Sequence, residues 1–423
     1  MITPPIGTPL AGYGFRDHGA EAILDDLEVR ALWFQEGDDP RQAACLVTAD
    51  LIGFGPALTT EIRTALTQRI GIPPERVLLT ASHTHSGPQT DESMVGCGAI
   101  VAGVVATVRE RILEAVKTAS HDLHPVTLCA GCGRCEGYAI NRRLVKDGQV
   151  LFVPNPDGVH DDVVIVIACH DAASGAVRAG LFQFTCHPTL MGDYRITADY
   201  PGAARRYVEE ALGHGAVAAF LPGCFGDVRP NCTVIGGGKF RRGQPDDVAA
   251  FGAALGEEVV RVVRGDTQPL SPRLNGQATT LDLPLARHPG REELEQLQKT
   301  GTPVEQEWAS RLLSKPFSMT RPLTLQRIDL ASEARLIAMG GEVCCEYGHF
   351  IKGLQQDAFL IPVGYSNGFV AYIPTARIFS EGGYEPDGSC LYFGLPGPLQ
   401  PDIEGMIHAE IRKIMEAAAS LPL

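Results

Sequence analysis

The sequence of 423 residues has no long apolar run, no block of basic residues and few aromatic residues, which make up 7% of it. Because a membrane-spanning helix needs about 20 consecutive apolar residues, we expect no integral membrane segment. The formal net charge of −14 argues against nucleic acids and anionic membranes as partners. The first residues show neither the basic nor the apolar part of a secretion signal, so we expect a cytoplasmic protein.

Apolar residues account for 44% of the chain, which is ample for a folded core. In the first two-thirds, strand-like segments alternate with helical ones, and several later strands follow one another directly. This order predicts an α/β fold with mixed β-sheets flanked by helices. A segment rich in Glu, Gln and Lys at about 290–315 predicts a helical insertion on the surface. The 12 cysteines are expected to be reduced thiols.

Two histidines separated by one residue stand at the end of an apolar strand-like segment. The strand predicted at 77–82 runs into His83 and His85, and Gly87 and Pro88 then break the pattern. Alternate side chains of a strand share a face, and neutral imidazole is the commonest metal ligand in proteins. The pair is therefore a candidate first half of a metal site, although two histidines in a polar loop would give the same pattern.

Other polar residues also follow predicted strands, where sites gather in α/β sheets. His187 closes a strand predicted at 178–187, and it could be a ligand or simply the end of the strand. Asp199 precedes a predicted helix, so we expect it to cap that helix. Asp227 and Asn231 lie in a glycine-containing segment that either contacts a substrate or forms a tight turn.

Several enzyme classes can be compared with these patterns. The segment from Gly364 to Gly368 has the spacing of a serine-hydrolase nucleophile elbow, but a strand-like segment follows where the elbow needs a helix. A metallo-β-lactamase needs an aspartate where this chain has Gly87, and no HExxH zinc helix is present in the sequence. An amidohydrolase barrel, which also begins with HxH on a strand, stays as an alternative.

Short motifs along nearly the whole chain resemble the N-terminal catalytic region of the neutral (non-lysosomal) ceramidases. The most specific motif is His83-Thr84-His85-Ser86-Gly87-Pro88. Further motifs, in order, are Ile2-Thr3-Pro4-Pro5-Ile6-Gly7, Leu10-Ala11-Gly12-Tyr13-Gly14, Asn141-Arg142, Phe184-Thr185-Cys186-His187-Pro188-Thr189, Asp199-Tyr200-Pro201-Gly202, Gly226-Asp227-Val228, Gly341-Glu342 and Gly383-Tyr384-Glu385. The resemblance implies one catalytic unit over residues 1–423, without the C-terminal β-sandwich of the secreted ceramidases.

The resemblance also implies a catalytic zinc ion. Matched motif by motif, its ligands would be His83, His187, Glu342 and Tyr372. Two neutral nitrogens and an anionic oxygen suit zinc, and a catalytic zinc keeps one position for water or substrate.

Three further residues are implied as catalytic groups that do not bind the metal: His85, Arg142 and Tyr384. In the mechanism that we expect, zinc-activated water attacks the carbonyl of an amide, ester or lactone. Arg142 or Tyr384 stabilises the oxyanion. His85 transfers a proton toward the leaving group.

One departure from the family affects the expected substrate. Arg229 stands where the family carries a serine that has been proposed as important to catalysis. Its guanidinium suits a carboxylate or phosphate, so we expect Arg229, with Asp227 and Asn231, to bind a small substrate that could be anionic. This disfavours ceramide itself. The alternative from another class is a zinc-binding family member without catalysis. A homo-oligomer is compatible with the sequence, and the expected partner is a small-molecule substrate.

Overall fold

The computed structural model describes residues 1–234 and 236–416. The last seven residues of the unit expected over 1–423 lie outside these described residues. Within them, the strands are β1 (Ala22–Ile23), β2 (Val29–Phe34), β3 (Ala44–Ala49), β4 (Val77–Ala81), β5 (Val126–Arg134), β6 (Ala139–Lys146), β7 (Gln149–Asn155), β8 (Val163–Asp171), β9 (Val177–Phe184), β10 (Arg195–Ile196), β11 (Val217–Pro222), β12 (Val228–Pro230), β13 (Gln268–Pro269), β14 (Pro272–Pro284), β15 (Thr320–Ala331), β16 (Ala334–Met339), β17 (Glu342–Val343), β18 (Phe359–Val363) and β19 (Tyr372–Ile373).

The helices of the same part of the chain are α1 (Pro56–Ile70), α2 (Ala102–His121), α3 (Asp199–Leu212), α4 (Pro245–Gly265), α5 (Arg291–Thr300), α6 (Pro303–Ser314), α7 (Cys345–Lys352), α8 (Ala376–Glu381) and α9 (Ile403–Glu416). Short helical turns occur at Pro40–Gln42, Pro74–Arg76 and Tyr384–Gly388. None of the described helices has both the length and the hydropathy that crossing a bilayer requires.

The sheets are mixed, and the predicted α/β fold is confirmed. A five-stranded sheet has the order β11-β9-β8-β5-β13, in which only the β9–β11 pair is parallel. A three-stranded sheet, β2-β3-β4, combines an antiparallel pair with a parallel one. A four-stranded sheet, β14-β15-β16-β18, ends in a parallel pair. These are open sheets and do not show the regular β/α alternation of an amidohydrolase barrel.

The core explains why these segments take up strands and helices. All residues of β3 and β4 are buried, as expected for apolar strands covered on both faces. α3 packs closely on α4 because Gly252 and Gly256 leave room for neighbouring side chains of α3. The largest hydrophobic cluster contains buried residues between Met94 and Ile414, so segments that are far apart in the sequence contribute to one core.

Several local predictions differ from the structure. The insertion at 290–315 consists of two helices, because Gly301 ends α5 and Thr302 begins α6 with a reciprocal capping box. Asp199 does not cap α3 from outside; it is the first residue of the helix, at a φ of +56°. The 12 cysteines are free thiols, as expected.

Candidate metal centre and active site

His83 lies in a turn, two residues beyond the end of β4. Its φ of +67° is in the left-handed region, so the strand predicted at 77–82 ends before the histidines and does not place them on one strand face. The turn points the buried imidazole inward, and Nδ1 lies 2.5 Å from the carbonyl oxygen of Ile52. Because a carbonyl can only accept, Nδ1 carries the proton and Nε2 keeps a free lone pair.

His187 lies three residues beyond the end of β9, so the predicted strand at 178–187 ends earlier than expected, but the His187 ring is held by a backbone carbonyl as that of His83 is. Its Nδ1 donates to the carbonyl of Val228 at 3.0 Å, which leaves Nε2 as the lone-pair nitrogen. Burial lowers the pKa of His187 to about 4, so the ring is neutral at physiological pH. Backbone carbonyls that hold the second ring nitrogen are the usual support of metal-ligating histidines.

Glu342 and Tyr372 come from β17 and β19, two parallel strands in which they are direct partners. The Oε2 atom of Glu342 lies 3.1 Å from Nε2 of His187 and 3.5 Å from Nε2 of His83. Burial by itself raises the pKa of Glu342, but the two histidines outweigh it and hold that pKa well below its usual range. The Tyr372 hydroxyl accepts a hydrogen bond from Arg142, and burial, reinforced by the Glu342 carboxylate, raises the pKa of Tyr372 well above its ordinary value.

These donors fit a small divalent cation. In a tetrahedral zinc site with bonds of about 2.0–2.2 Å, neighbouring donor atoms are about 3.4 Å apart. The separations of 3.1 and 3.5 Å between Glu342 and the two histidines agree with that spacing. The structure thus brings together the residues that the resemblance implied as ligands.

His85 is a third imidazole at this centre. Its Nε2 lies 3.1 Å from Nε2 of His83, and donor atoms of His83, His85 and His187 lie within 4.8 Å of one another. The Nδ1 atom of His85 is buried without a hydrogen-bond partner among the described residues. Burial lowers the pKa of His85 well below its ordinary value. The ring can therefore either transfer protons beside a metal ion or join the ligands of such an ion.

Arg142 is held in place by an ion pair that the sequence alone does not single out. Its Nε donates to Glu385 at 2.9 Å and its Nη2 to Tyr372 at 3.0 Å, and Arg143 also pairs with Glu385. Burial by itself lowers the pKa of Arg142, but Tyr372 and Glu385 raise it well above its ordinary value. Tyr384 directly precedes Glu385, and the centre of its ring lies 5.5 Å from the centre of the Tyr372 ring. Tyr384 itself is 39% exposed.

The three residues expected to bind substrate have different surroundings. Asp227 is fully buried and accepts hydrogen bonds from the backbone of Cys345 and from the Asn141 side chain. Asn231 is exposed and donates to a backbone carbonyl at Gly137. Asp227 and Asn231 therefore both make contacts within the protein that fix the local backbone. Arg229 is half-buried, and its guanidinium carbon lies 4.2 Å from the centre of the Phe240 ring.

Two aromatic residues complete the walls of the centre. The ring of Tyr365 lies 4.2 Å from that of His83, and its buried hydroxyl has no partner among the described residues. Tyr13 lies 4.8 Å from the His85 ring. Tyr365 belongs to the serine-elbow pattern, but Ser366 donates its hydroxyl to the carbonyl of Gly364 and does not face a base.

A buried pair of imidazoles with a carboxylate, close to the ends of strands in mixed sheets, is typical of metal-dependent hydrolases. Comparison with known sequences then identifies the family. The sequence model described as neutral/alkaline non-lysosomal ceramidase, N-terminal, matches residues 2–244. The chain belongs to this family.

Individual relatives are distant. A neutral ceramidase from Mycobacterium tuberculosis is 23% identical over 283 residues, which cover 62% of this chain and 39% of that protein. The crystal structure of neutral ceramidase from Pseudomonas aeruginosa matches with a TM-score of 0.76 and 18% identity, over 96% of this chain and 71% of the other. A ceramidase structure described as complexed with C2 gives the same TM-score at 17% identity. The structural matches establish the ceramidase catalytic fold.

Proposed function

We propose that the protein is a zinc-dependent hydrolase that cleaves an amide, ester or lactone bond in a small, anionic substrate. The observation that carries this proposal is the convergence of the Nε2 atoms of His83 and His187 on one oxygen of Glu342. Backbone carbonyls fix both rings in the tautomer that a metal requires.

His83, His187, Glu342 and Tyr372 would hold the ion. Bound zinc would act as a Lewis acid and lower the pKa of a water molecule from about 15.7 to near 7. The oxygen of the water bonds to the carbonyl carbon, and the bond from that carbon to the leaving nitrogen or oxygen breaks.

Arg142 and Tyr384 provide hydrogen-bond donors for the carbonyl oxygen as it becomes negative. The ion pair with Glu385 fixes Arg142 before the substrate arrives, and one such preorganised donor is typically worth about 3–4 kcal/mol. His85 is neutral because burial lowers its pKa. It accepts a proton from the attacking water and delivers it to the leaving group.

Arg229 supports an anionic substrate because its guanidinium borders the same Phe152 ring as Arg142. Asp227 acts as a positioning residue, since it fixes Asn141 beside Arg142. A cytoplasmic location and a homo-oligomeric state stay predictions, as does the single catalytic unit over residues 1–423. The roles of the individual residues are likewise proposals.

A hydrolysis screen tests the proposed function. Zinc-loaded protein is incubated with small amides, esters and lactones, with and without a carboxylate, and products are measured by mass spectrometry. We expect turnover that chelation removes and zinc restores, and Tyr384→Phe should reduce the rate about 10²-fold. Tyr207→Phe, a change in another surface-accessible tyrosine, serves as the control. Retained zinc without turnover across the panel would favour the non-catalytic alternative.

A further inference from the structure

Arg229 differs from the neighbouring arginines Arg142 and Arg143 in whether a carboxylate neutralises its charge. Arg142 and Arg143 share Glu385. Among the described residues, no carboxylate pairs with Arg229, and its buried Nε has no hydrogen-bond partner. Burial lowers the pKa of Arg229, but an arginine keeps its charge at physiological pH. A half-buried guanidinium that has lost part of its hydration and has no anion beside it is destabilising unless a ligand supplies one.

Two aromatic rings hold this guanidinium in place. Its central carbon lies 4.2 Å from the centre of the Phe240 ring and 5.6 Å from that of Phe152. Phe240 forms an antiparallel bridge with Thr233. Stacking occupies the face of a guanidinium and leaves the N–H groups at its edge free. The edge of Arg229 is thus available to a planar acceptor.

Arg229 is also close to the groups proposed to act on the carbonyl. It follows Val228, whose carbonyl orients His187. The guanidinium carbon of Arg142 lies 5.1 Å from the Phe152 ring, so both arginines border the same ring. An anion bound by Arg229 would therefore lie in the neighbourhood of Arg142, the group proposed to stabilise the carbonyl oxygen.

We propose that Arg229, framed by Phe240 and Phe152, binds the carboxylate of an N-acylated amino acid whose amide is the bond that is cleaved. This inference rests on the proposed function. The carboxylate forms two parallel hydrogen bonds with the guanidinium edge, a geometry that a single arginine matches well. A phosphate dianion would need a second free cation, and Arg142 is already neutralised by Glu385.

The reaction balances without a further reactant. The oxygen of one water molecule bonds to the acyl carbon, and the carbon–nitrogen bond breaks. The amide nitrogen receives a proton through His85. The products are the acyl group as a carboxylic acid and a free amino acid that still carries its own carboxylate. Phe240 and Phe152 would contribute to specificity for a carboxylate, because they keep the guanidinium of Arg229 in one orientation.

Binding of a matched pair of probes tests the inference. N-benzoylglycine carries the carboxylate, and its primary amide has the same shape without the charge. Calorimetric titration of zinc-loaded protein should show at least about tenfold tighter binding of the acid, as expected for a charge-assisted pair. Arg229→Met should abolish the preference, Arg229→Lys should keep part of it, and Phe240→Leu should reduce it several-fold.

Two results would overturn the inference: equal affinities in the wild-type protein, or a preference that persists in Arg229→Met because the acid binds the metal instead. Zinc content and thermal midpoint are measured for each variant, and Arg229→Lys gives the test if Arg229→Met does not fold. If the acid binds through Arg229 and is not hydrolysed, the carboxylate site stands and the proposed hydrolase activity fails.

Discussion

At the scale of single residues, the orientation of two imidazole rings determines the chemistry of the centre. In both His83 and His187, Nδ1 donates a hydrogen bond to a backbone carbonyl. Neither ring can therefore turn without losing a buried hydrogen bond. The sequence predicted that both histidines lie near strand ends, and they follow β4 and β9 by two and three residues. It could not show that a residue with positive φ, rather than a continued strand, would aim His83 inward.

Gly12 makes room for His85, and its replacement tests the role of that ring. A Cβ atom at Gly12 would lie 2.5 Å from Nδ1 of His85. We expect Gly12→Ala to displace the ring and lower kcat at least tenfold, because proton transfer typically contributes about 10²–10⁴. Zinc should be retained if His85 does not bind the metal.

Gly7→Ala is the matched control. Gly7 has a similar φ of +89°, but a Cβ atom there would meet nothing within 4 Å. The variant reproduces the backbone strain without the contact to His85. Equal activity in the Gly7 and Gly12 variants would contradict a catalytic role for His85, and zinc loss confined to Gly12→Ala would make His85 a ligand.

Asp199 should make folding stability depend on pH. Burial raises its pKa from 3.8 to about 7. Between these values the folded protein holds a proton that the unfolded chain has released, so stability falls as the pH rises from about 4 to 7. The slope should reach at most about 1.4 kcal/mol per pH unit. Urea unfolding of the wild type and of Asp199→Asn, repeated between about pH 4 and 7, measures this slope. Identical slopes in the two proteins would refute a raised pKa of Asp199 as the cause.

At the scale of elements, helices with clear end signals were predictable from the sequence and buried polar strands were not. α1 begins at Pro56 and ends before Gly71, as its sequence suggests. The β6–β7 hairpin was missed although Asp147 and Gly148 mark its turn. Arg142 and Arg143 interrupt the apolar pattern of β6, and they are buried there only because distant carboxylates neutralise them.

The two-helix insertion should be stabilised by the capping box at the start of α6. Thr302 accepts from the backbone of Glu305, and the Glu305 side chain accepts from the backbone of Thr302. We expect Thr302→Ala to lower the free energy of unfolding by about 1 kcal/mol, measured in urea, without changing zinc content. Thr300→Ala at the end of α5 should have a smaller effect. Equal losses in the two variants would exclude a special contribution of the cap.

At the scale of the whole molecule, the candidate site combines residues that are far apart in the sequence. Arg142 and Glu385 are separated by 243 positions and still form a direct ion pair. The family resemblance identified the proposed ligands, because short motifs mark them. One of these motifs contains Glu385, but the role of Glu385, like the roles of Tyr365 and Phe240, depends on long-range contacts that no local pattern encodes.

Metal content tests the central claim most directly. Elemental analysis of the purified wild type should find about one zinc ion per chain. His187→Ala should lose most of it, because the ring that donates Nε2 is gone, while His124→Ala, a change at an exposed histidine, should keep it. A wild-type protein that neither contains nor takes up zinc, or a His187 variant with undiminished zinc, would contradict the account.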